Sequence, residues 1–253
     1  MDAIVITGPT ASGKSELSFK LAELINGEII SADSAQVYRG LDIGTAKPEK
    51  FVQDKLKHHL LDIRDPSEIY TVANFRNDAL QTVEEIKGRG KVPIISGGTM
   101  LYLKALREGL ADLPAANPSV RESIEVEASR YGWEKIHKDL EVFDPVAAAR
   151  IKANDSQRLQ RAVEVYQLTG ISLSEHLRRE KTACRLKLFE IAIFPEDREK
   201  LHKKIEQRLG KMLEKGFVEE VIRLKDLLLV ICREIQVEVL ILVCKELVFL
   251  VII

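Results

Sequence analysis

The chain has 253 residues, enough to bury a full core as one large domain or as one domain carrying an insertion. Charged residues make up 30% and hydrophobic ones 45%, and the formal net charge is -1, so the composition is that of a globular protein without the global cationic excess of a general polyanion binder. Cys184, Cys232 and Cys244 form no C-x-x-C pair and leave an odd count, so neither a disulfide framework nor a zinc site is suggested, and a reducing compartment fits.

A strand pattern begins at once, over Ala3 to Thr7. It leaves no room for a charged and apolar leader, so a cytoplasmic location is expected. Gly8-Pro9-Thr10-Ala11-Ser12-Gly13-Lys14-Ser15 follows, matching G-x-x-x-x-G-K-[ST] in its proper place between strand and helix. Such a loop converges backbone N–H groups on phosphate oxygens and points the positive end of the next helix at them. Lys14 adds a point charge, and Ser15 offers a hydroxyl to Mg²⁺. The helix is expected over Lys14 to Ile25, with Leu17, Leu21, Leu24 and Ile25 as its buried stripe and Gly27 closing it.

Glu28 to Ser31 reads as a second strand that ends at Ala32-Asp33-Ser34, and ligand groups in parallel sheets gather at such carboxyl ends. Asp33 is therefore expected beside the phosphate loop. Further elements are a strand at His59 to Ile63, a helix from Val72 to Lys87, and a strand from Val92 to Ser96 that ends in Gly97-Gly98-Thr99. His58 and His59 carry no metal-ligand spacing and read as structural. This alternation predicts an α/β fold, a P-loop NTPase-like parallel sheet flanked by helices.

From about Leu113 helical patterns replace the alternation: Ser119 to Arg130, Trp133 to Leu140, Pro145 to Ile151, Ser156 to Leu168 and Leu173 to Lys181. They predict a helical insertion domain, residues 113–185, within a core made of residues 1–112 and 186–253. From Arg150 to Lys187 the chain holds nine Lys or Arg against four acids, a local basic stretch that suits phosphates and equally a solvated helical face. Leu186 to Phe194 returns to a strand pattern, and Asp197 to Lys215 and Val218 to Lys225 are expected helices. The segment 227–253 is almost wholly apolar and β-branched. No uncharged run there reaches the roughly eighteen residues of a membrane span, so a buried helix or a pair of strands is expected and no membrane is involved.

Four motifs in this order, Gly8 to Ser15, the polar run from Asp33-Ser34-Ala35-Gln36 to Lys47-Pro48, Gly97-Gly98-Thr99, and Asn154-Asp155-Ser156-Gln157-Arg158-Leu159-Gln160-Arg161, resemble the tRNA dimethylallyltransferase family. The resemblance runs from about Ala3 to Asp226. It implies transfer of a dimethylallyl group from dimethylallyl diphosphate to N6 of the adenosine 3′-adjacent to the anticodon. The phosphate loop, Gly8 to Ser15, would hold the leaving diphosphate with Mg²⁺ at Ser15; its likeness to P-loop kinases also invites an ATP-binding label. By the same resemblance Asp33 is the general base, Thr10 bonds the bridging oxygen, and Arg208 adds a cation to the diphosphate. Asp33, Ser34, Ala35, Gln36, Thr99, Arg121, Gln157, Arg158, Leu159, Gln160 and Arg161 would contact the tRNA anticodon stem-loop, with the adenine flipped and Gln36 reading its neighbours. A monomer is expected. Asp33 also fits a carboxylate that meets Mg²⁺ through water. After Asp226 the chain departs from the family, which continues with a polar stretch and a glycine-tyrosine-arginine motif; a shifted reading frame or a divergent terminus would explain the apolar tail. A P-loop small-molecule kinase, a prenyltransferase of free adenine nucleotides and an inactive tRNA-binding remnant are the competing readings.

Overall fold

The computed structural model describes residues 1–179 and 186–225. Residues 1–107 and 186–225 belong to one compact unit and 108–179 to a second. The apolar tail, for which a helix or strands are expected, lies outside the described residues.

The first unit is built on a parallel sheet of β1 (Ala3–Thr7), β2 (Gly27–Ser31), β3 (His58–His59), β4 (Val92–Gly97) and β5 (Leu188–Ala192), in the order β3-β2-β4-β1-β5. Alternate side chains of these strands point to opposite faces. Ile4, Ile6, Ile29 and Ile94 form one apolar layer with Ala22 of α1 (Lys14–Ile25). Ala3, Val5, Ile30 and Ile95 form the other with α3 (Val72–Gly88) and α4 (Met100–Glu108), where Phe75 stacks on Tyr102 at 4.0 Å between ring centroids. Both faces are thus covered, as expected of an all-parallel sheet. A Thr71–Asn74 capping box starts α3. Two helices went unexpected from the pattern, α2 (Lys50–Lys55) and α4.

Several expectations need correction. Of the expected stripe of α1, Leu21 and Ile25 pack against the core, while Leu17 is 37% and Leu24 81% exposed and the buried residues are Ser18 and Ala22. The helix lies so near the sheet that only small groups fit between them, and the Ser18 hydroxyl meets Ser96 Oγ at 2.7 Å. The strand expected over residues 59–63 is only the pair His58–His59, because Leu60 (φ 60) and Asp62 (φ 54) are left-handed and break the extended run.

The second unit consists of α5 (Pro118–Tyr131), α6 (Trp133–Phe143), α7 (Pro145–Ala148), α8 (Ser156–Thr169) and α9 (Leu173–Arg178) around Ile124, Ile136, Leu140, Leu159 and Val163. Buried Asp144 caps α7 by accepting from Ala147 N and also accepts from Ser174 N of α9. The expected Pro145 to Ile151 helix stops at Ala148, and α9 ends at Arg178 with Arg179 extended. Trp133 packs against this core. In the first unit, α10 (Arg198–Glu214) and a further helix over residues 217–225 complete the described chain. No helix among the described residues is long and apolar enough to cross a membrane.

At the amino-terminal end of the sheet, buried Glu28 accepts from His59 Nε2 and Arg89 at 2.7 Å each and pairs with Lys91 at 2.9 Å. Burial alone would raise its pKa, but the bonds from Arg89, His59 and Lys91 outweigh burial and pull it from 4.5 to about 2. A carboxyl depressed on folding stabilises the fold above its unfolded pKa and loses that contribution as pH falls toward the folded one. Glu28→Gln is therefore expected to cost about 1–3 kcal/mol near neutrality, the lower range for breaking a buried pair because Arg89 and Lys91 keep contact with water. In urea titrations the gap between wild type and variant should close between pH 4.5 and about 2.

Candidate active site

The phosphate loop leaves β1 at Thr7 and enters α1 through Gly13, whose left-handed φ of 92 at the helix start suits glycine. Ala11 is also left-handed, with φ 57, a conformation that a side chain disfavours and that the surrounding structure must impose. Ser12 N donates to Pro9 O, and the Lys14 ammonium donates back to the same carbonyl at 3.1 Å, closing the loop on itself. The Ser12 hydroxyl is buried without a partner among the described residues. An unsatisfied donor inside such a loop is what an anion oxygen would complete.

Arg208 reaches in from α10, donating to Thr10 Oγ1 at 3.3 Å. The Lys14 pKa is lowered, first by burial and then by the charge of Arg208, with Asp33 opposing. That of Arg208 is lowered by burial, again opposed by Asp33. Two cations thus press on each other at the loop, with one carboxylate close enough to offset them. A polyanion here would relieve the repulsion.

Asp33 follows β2, whose end is tied to that of β4. Ala32 N donates to Ser96 O, Thr99 N to Ala32 O, and Ser34 N to Thr99 Oγ1 at 3.1 Å. Asp33 Oδ1 accepts from Ala35 N at 2.9 Å and Gln36 N at 3.3 Å, which orients the carboxylate and leaves Oδ2 without a partner among the described residues. The Gln36 amide is occupied at both ends, accepting from Ser31 Oγ and donating to Thr45 O. It braces the loop of residues 41–46 before it can read a base.

A cleft of 770 Å³ adjoins the phosphate loop at Ser15 and Arg208. Lys47, Lys50, Lys204, Arg208, Lys211 and Lys215 line it against three carboxylates, Asp42, Glu49 and Asp62, so its charge is positive. Among the described residues no group of three or more His, Cys, Asp or Glu could hold a metal by itself. Hard oxygens such as the Ser15 hydroxyl, together with those of a bound anion, are what a divalent cation would take at this loop.

In the helical unit, the expected RNA-contact residues differ in exposure. Gln157 and Arg158 are exposed. Arg121 and Arg161 converge on Glu164, which is fully buried and accepts from both guanidinium groups and from Asn117 N. Burial would raise the Glu164 pKa, but Arg121, Arg161 and the Asn117 N–H outweigh it and hold it low. Gln160 donates to Glu125. Leu159 is 0% exposed in the apolar core of this unit, so it sits on the buried face of α8 and not on the face that carries Gln157 and Arg158. Glu164, which no local motif singles out, is the residue that organises the two arginines.

A model of the IPP transferase family matches residues 36–244. Its span begins after the phosphate loop and Asp33, which stand on pattern and geometry. Among solved structures, the full-length tRNA isopentenylpyrophosphate transferase of Bacillus halodurans is 38% identical, covering 89% of this chain and 71% of its own, with a TM-score of 0.57. The tRNA delta(2)-isopentenylpyrophosphate transferase of Staphylococcus epidermidis is 37% identical, covering 88% of this chain and 73% of its own, also at 0.57. A eukaryotic dimethylallyltransferase caught acting on tRNA is 32% identical with a TM-score of 0.76, and the match covers 88% of this chain and 56% of that one. With a family match over most of its length and relatives above 30% identity, the chain belongs to the IPP transferase family.

Proposed function

We propose that the chain transfers a dimethylallyl group from dimethylallyl diphosphate to N6 of the adenosine 3′-adjacent to the anticodon of tRNA. The observation that carries this reading is the meeting of Lys14, Arg208 and the Asp33 carboxylate at one loop whose buried Ser12 hydroxyl lacks a partner among the described residues. In the transfer the adenine N6 forms a bond to C1 of the dimethylallyl group as the bond from C1 to the diphosphate oxygen breaks. The diphosphate leaves with that electron pair, and the amine proton passes to Asp33.

The exocyclic amine is a weak nucleophile, so proton removal must accompany attack, and Asp33 Oδ2 is the open oxygen for it. Charge growing on the leaving diphosphate falls to the loop N–H groups, Lys14 and Arg208, with Thr10, already bonded to Arg208, at the bridging oxygen. Mg²⁺ bound through Ser15 would neutralise part of that charge. Two cations with depressed pKa values gain most from a polyanion, which favours a leaving group held through the reaction. Ser34, Ala35 and Thr99 form the rim beside Asp33, and the helical unit supplies exposed Gln157 and Arg158 with Arg121, Gln160 and Arg161 for the RNA. The chain acts as a monomer in the cytoplasm.

Unmodified tRNA incubated with labelled dimethylallyl diphosphate is expected to acquire label. Asp33→Asn keeps an oxygen for Ala35 N and Gln36 N but removes the base, and is expected to slow transfer by about 10²–10⁴-fold with little change in KM for the diphosphate substrate. A variant as fast as wild type sinks the base assignment. Phosphate transfer from ATP without any need for tRNA would favour a kinase, and tight binding of an anticodon stem-loop without turnover would favour an inactive remnant.

Glu164→Gln strips two arginines of a shared buried carboxylate. It is expected to cost the helical unit about 3 kcal/mol and to raise KM for tRNA while leaving that for dimethylallyl diphosphate in place. Steady-state kinetics with each substrate varied in turn, beside a thermal melt, test it.

A further inference from the structure

Glu220 belongs to the helix over residues 217–225, far in sequence from every motif of the site, and it is buried. A buried carboxylate without compensation is costly, so its partners show what it holds in place. Its two oxygens accept from three successive backbone N–H groups: Asp42 at 2.9 Å, Ile43 at 2.8 Å and Gly44 at 2.9 Å. Such a run of N–H groups is an anion nest, here filled by the protein's own side chain.

Packing locks the same junction. A Cβ on Gly44 would lie 2.4 Å from Phe217 Cε2, so only glycine lets the loop lie against that buried ring. From the other side, buried Lys47 Nζ donates to Asp42 Oδ1 and Asp62 Oδ1 at 2.6 Å each and to Tyr38 O at 2.9 Å. Loop 41–46 is thus fixed against its surroundings, and it transmits that placement. The carbonyl of Thr45 accepts from Gln36 Nε2 at 3.0 Å, Gln36 Oε1 accepts from Ser31 Oγ, and Gln36 N donates to Asp33 Oδ1.

We infer that Glu220 is a positioning residue for group transfer: by holding the N–H groups of Asp42, Ile43 and Gly44 it sets the loop that fixes Gln36 and, through Gln36, the Asp33 carboxylate. The inference rests on the reading of Asp33 as the base. Glu220 touches neither substrate; it acts through a loop and one amide.

Glu220→Gln tests it with little change in shape. The amide oxygen keeps part of the nest, while its NH₂ faces a backbone N–H with no acceptor between them. In the folded variant kcat is expected to fall by about 10–100-fold, the scale set by misplacing a reacting group by ångströms, with KM for dimethylallyl diphosphate held because the phosphate loop is untouched. Gln36→Leu cuts the path one link downstream and should show the same split between kcat and KM. The double variant should be no slower than the slower single one, since both break one path. Losses that multiply, a parallel rise in KM for the diphosphate substrate, or full activity in either variant overturns the inference. Amide hydrogen exchange gives a readout that does not need turnover. In Glu220→Gln the amides of Asp42, Ile43 and Gly44, and with them those of Ala35 and Gln36, should exchange faster while β1 and β4 stay protected. Unchanged exchange at Ala35 and Gln36 overturns the coupling even in a chain that transfers nothing, whereas a wild type that transfers nothing counts against the proposed function alone.

Discussion

The site depends on where three parallel strands end. β1 pairs with β4 and β4 with β2 in parallel register, so Thr7, Gly97 and Ser31 finish on the same edge of the sheet. A parallel strand cannot turn back at that edge, and its backbone groups there need partners from the loops that leave it. Those partners are the site. The phosphate loop leaves one strand, Asp33 the next and Thr99 the third, with backbone bonds running from Ala32 to Ser96 and from Thr99 to Ala32.

What is legible in the sequence is local. The phosphate loop declares itself because its glycines, lysine and serine act at neighbouring positions, and Asp33 follows from the rule that strand ends gather ligand groups. Helix existence is also legible where apolar spacing is regular, as in α3 and α8. Faces are harder: of the apolar stripe in α1, Leu21 and Ile25 pack inward and Leu17 and Leu24 do not, and the fully buried positions next to the sheet are Ser18 and Ala22. Within the motif from Asn154 to Arg161 the family resemblance does not say which side chains face outward; Leu159 is buried and Arg158 exposed.

The buried carboxylates escape sequence reading altogether. Glu28, Glu164 and Glu220 look like ordinary surface charges, and each is explained chiefly by partners brought in by the fold, with Arg161, three residues before Glu164, the local exception. His59 lies 31 residues from Glu28, Arg121 43 from Glu164, and Asp42 178 from Glu220. No window of sequence contains such a pair. In all three cases the carboxylate receives several donors at once, the condition under which a buried charge is tolerable and its environment is rigid. They hold, respectively, the amino-terminal end of the sheet, two arginines of the helical unit, and the loop behind Asp33.

The crowding of Lys14 and Arg208 reaches beyond chemistry. Two cations held near each other, next to a hydroxyl without a partner among the described residues and an alanine in a left-handed turn, make the loop a place where the native state is short of its own best energy. A diphosphate that fills it therefore acts as a missing piece of the fold. At about a hundred times its dissociation constant a ligand specific to the native state adds about 2.7 kcal/mol to stability by mass action. A ligand that fills the loop is in this way expected to raise the thermal midpoint of the folded chain with its concentration.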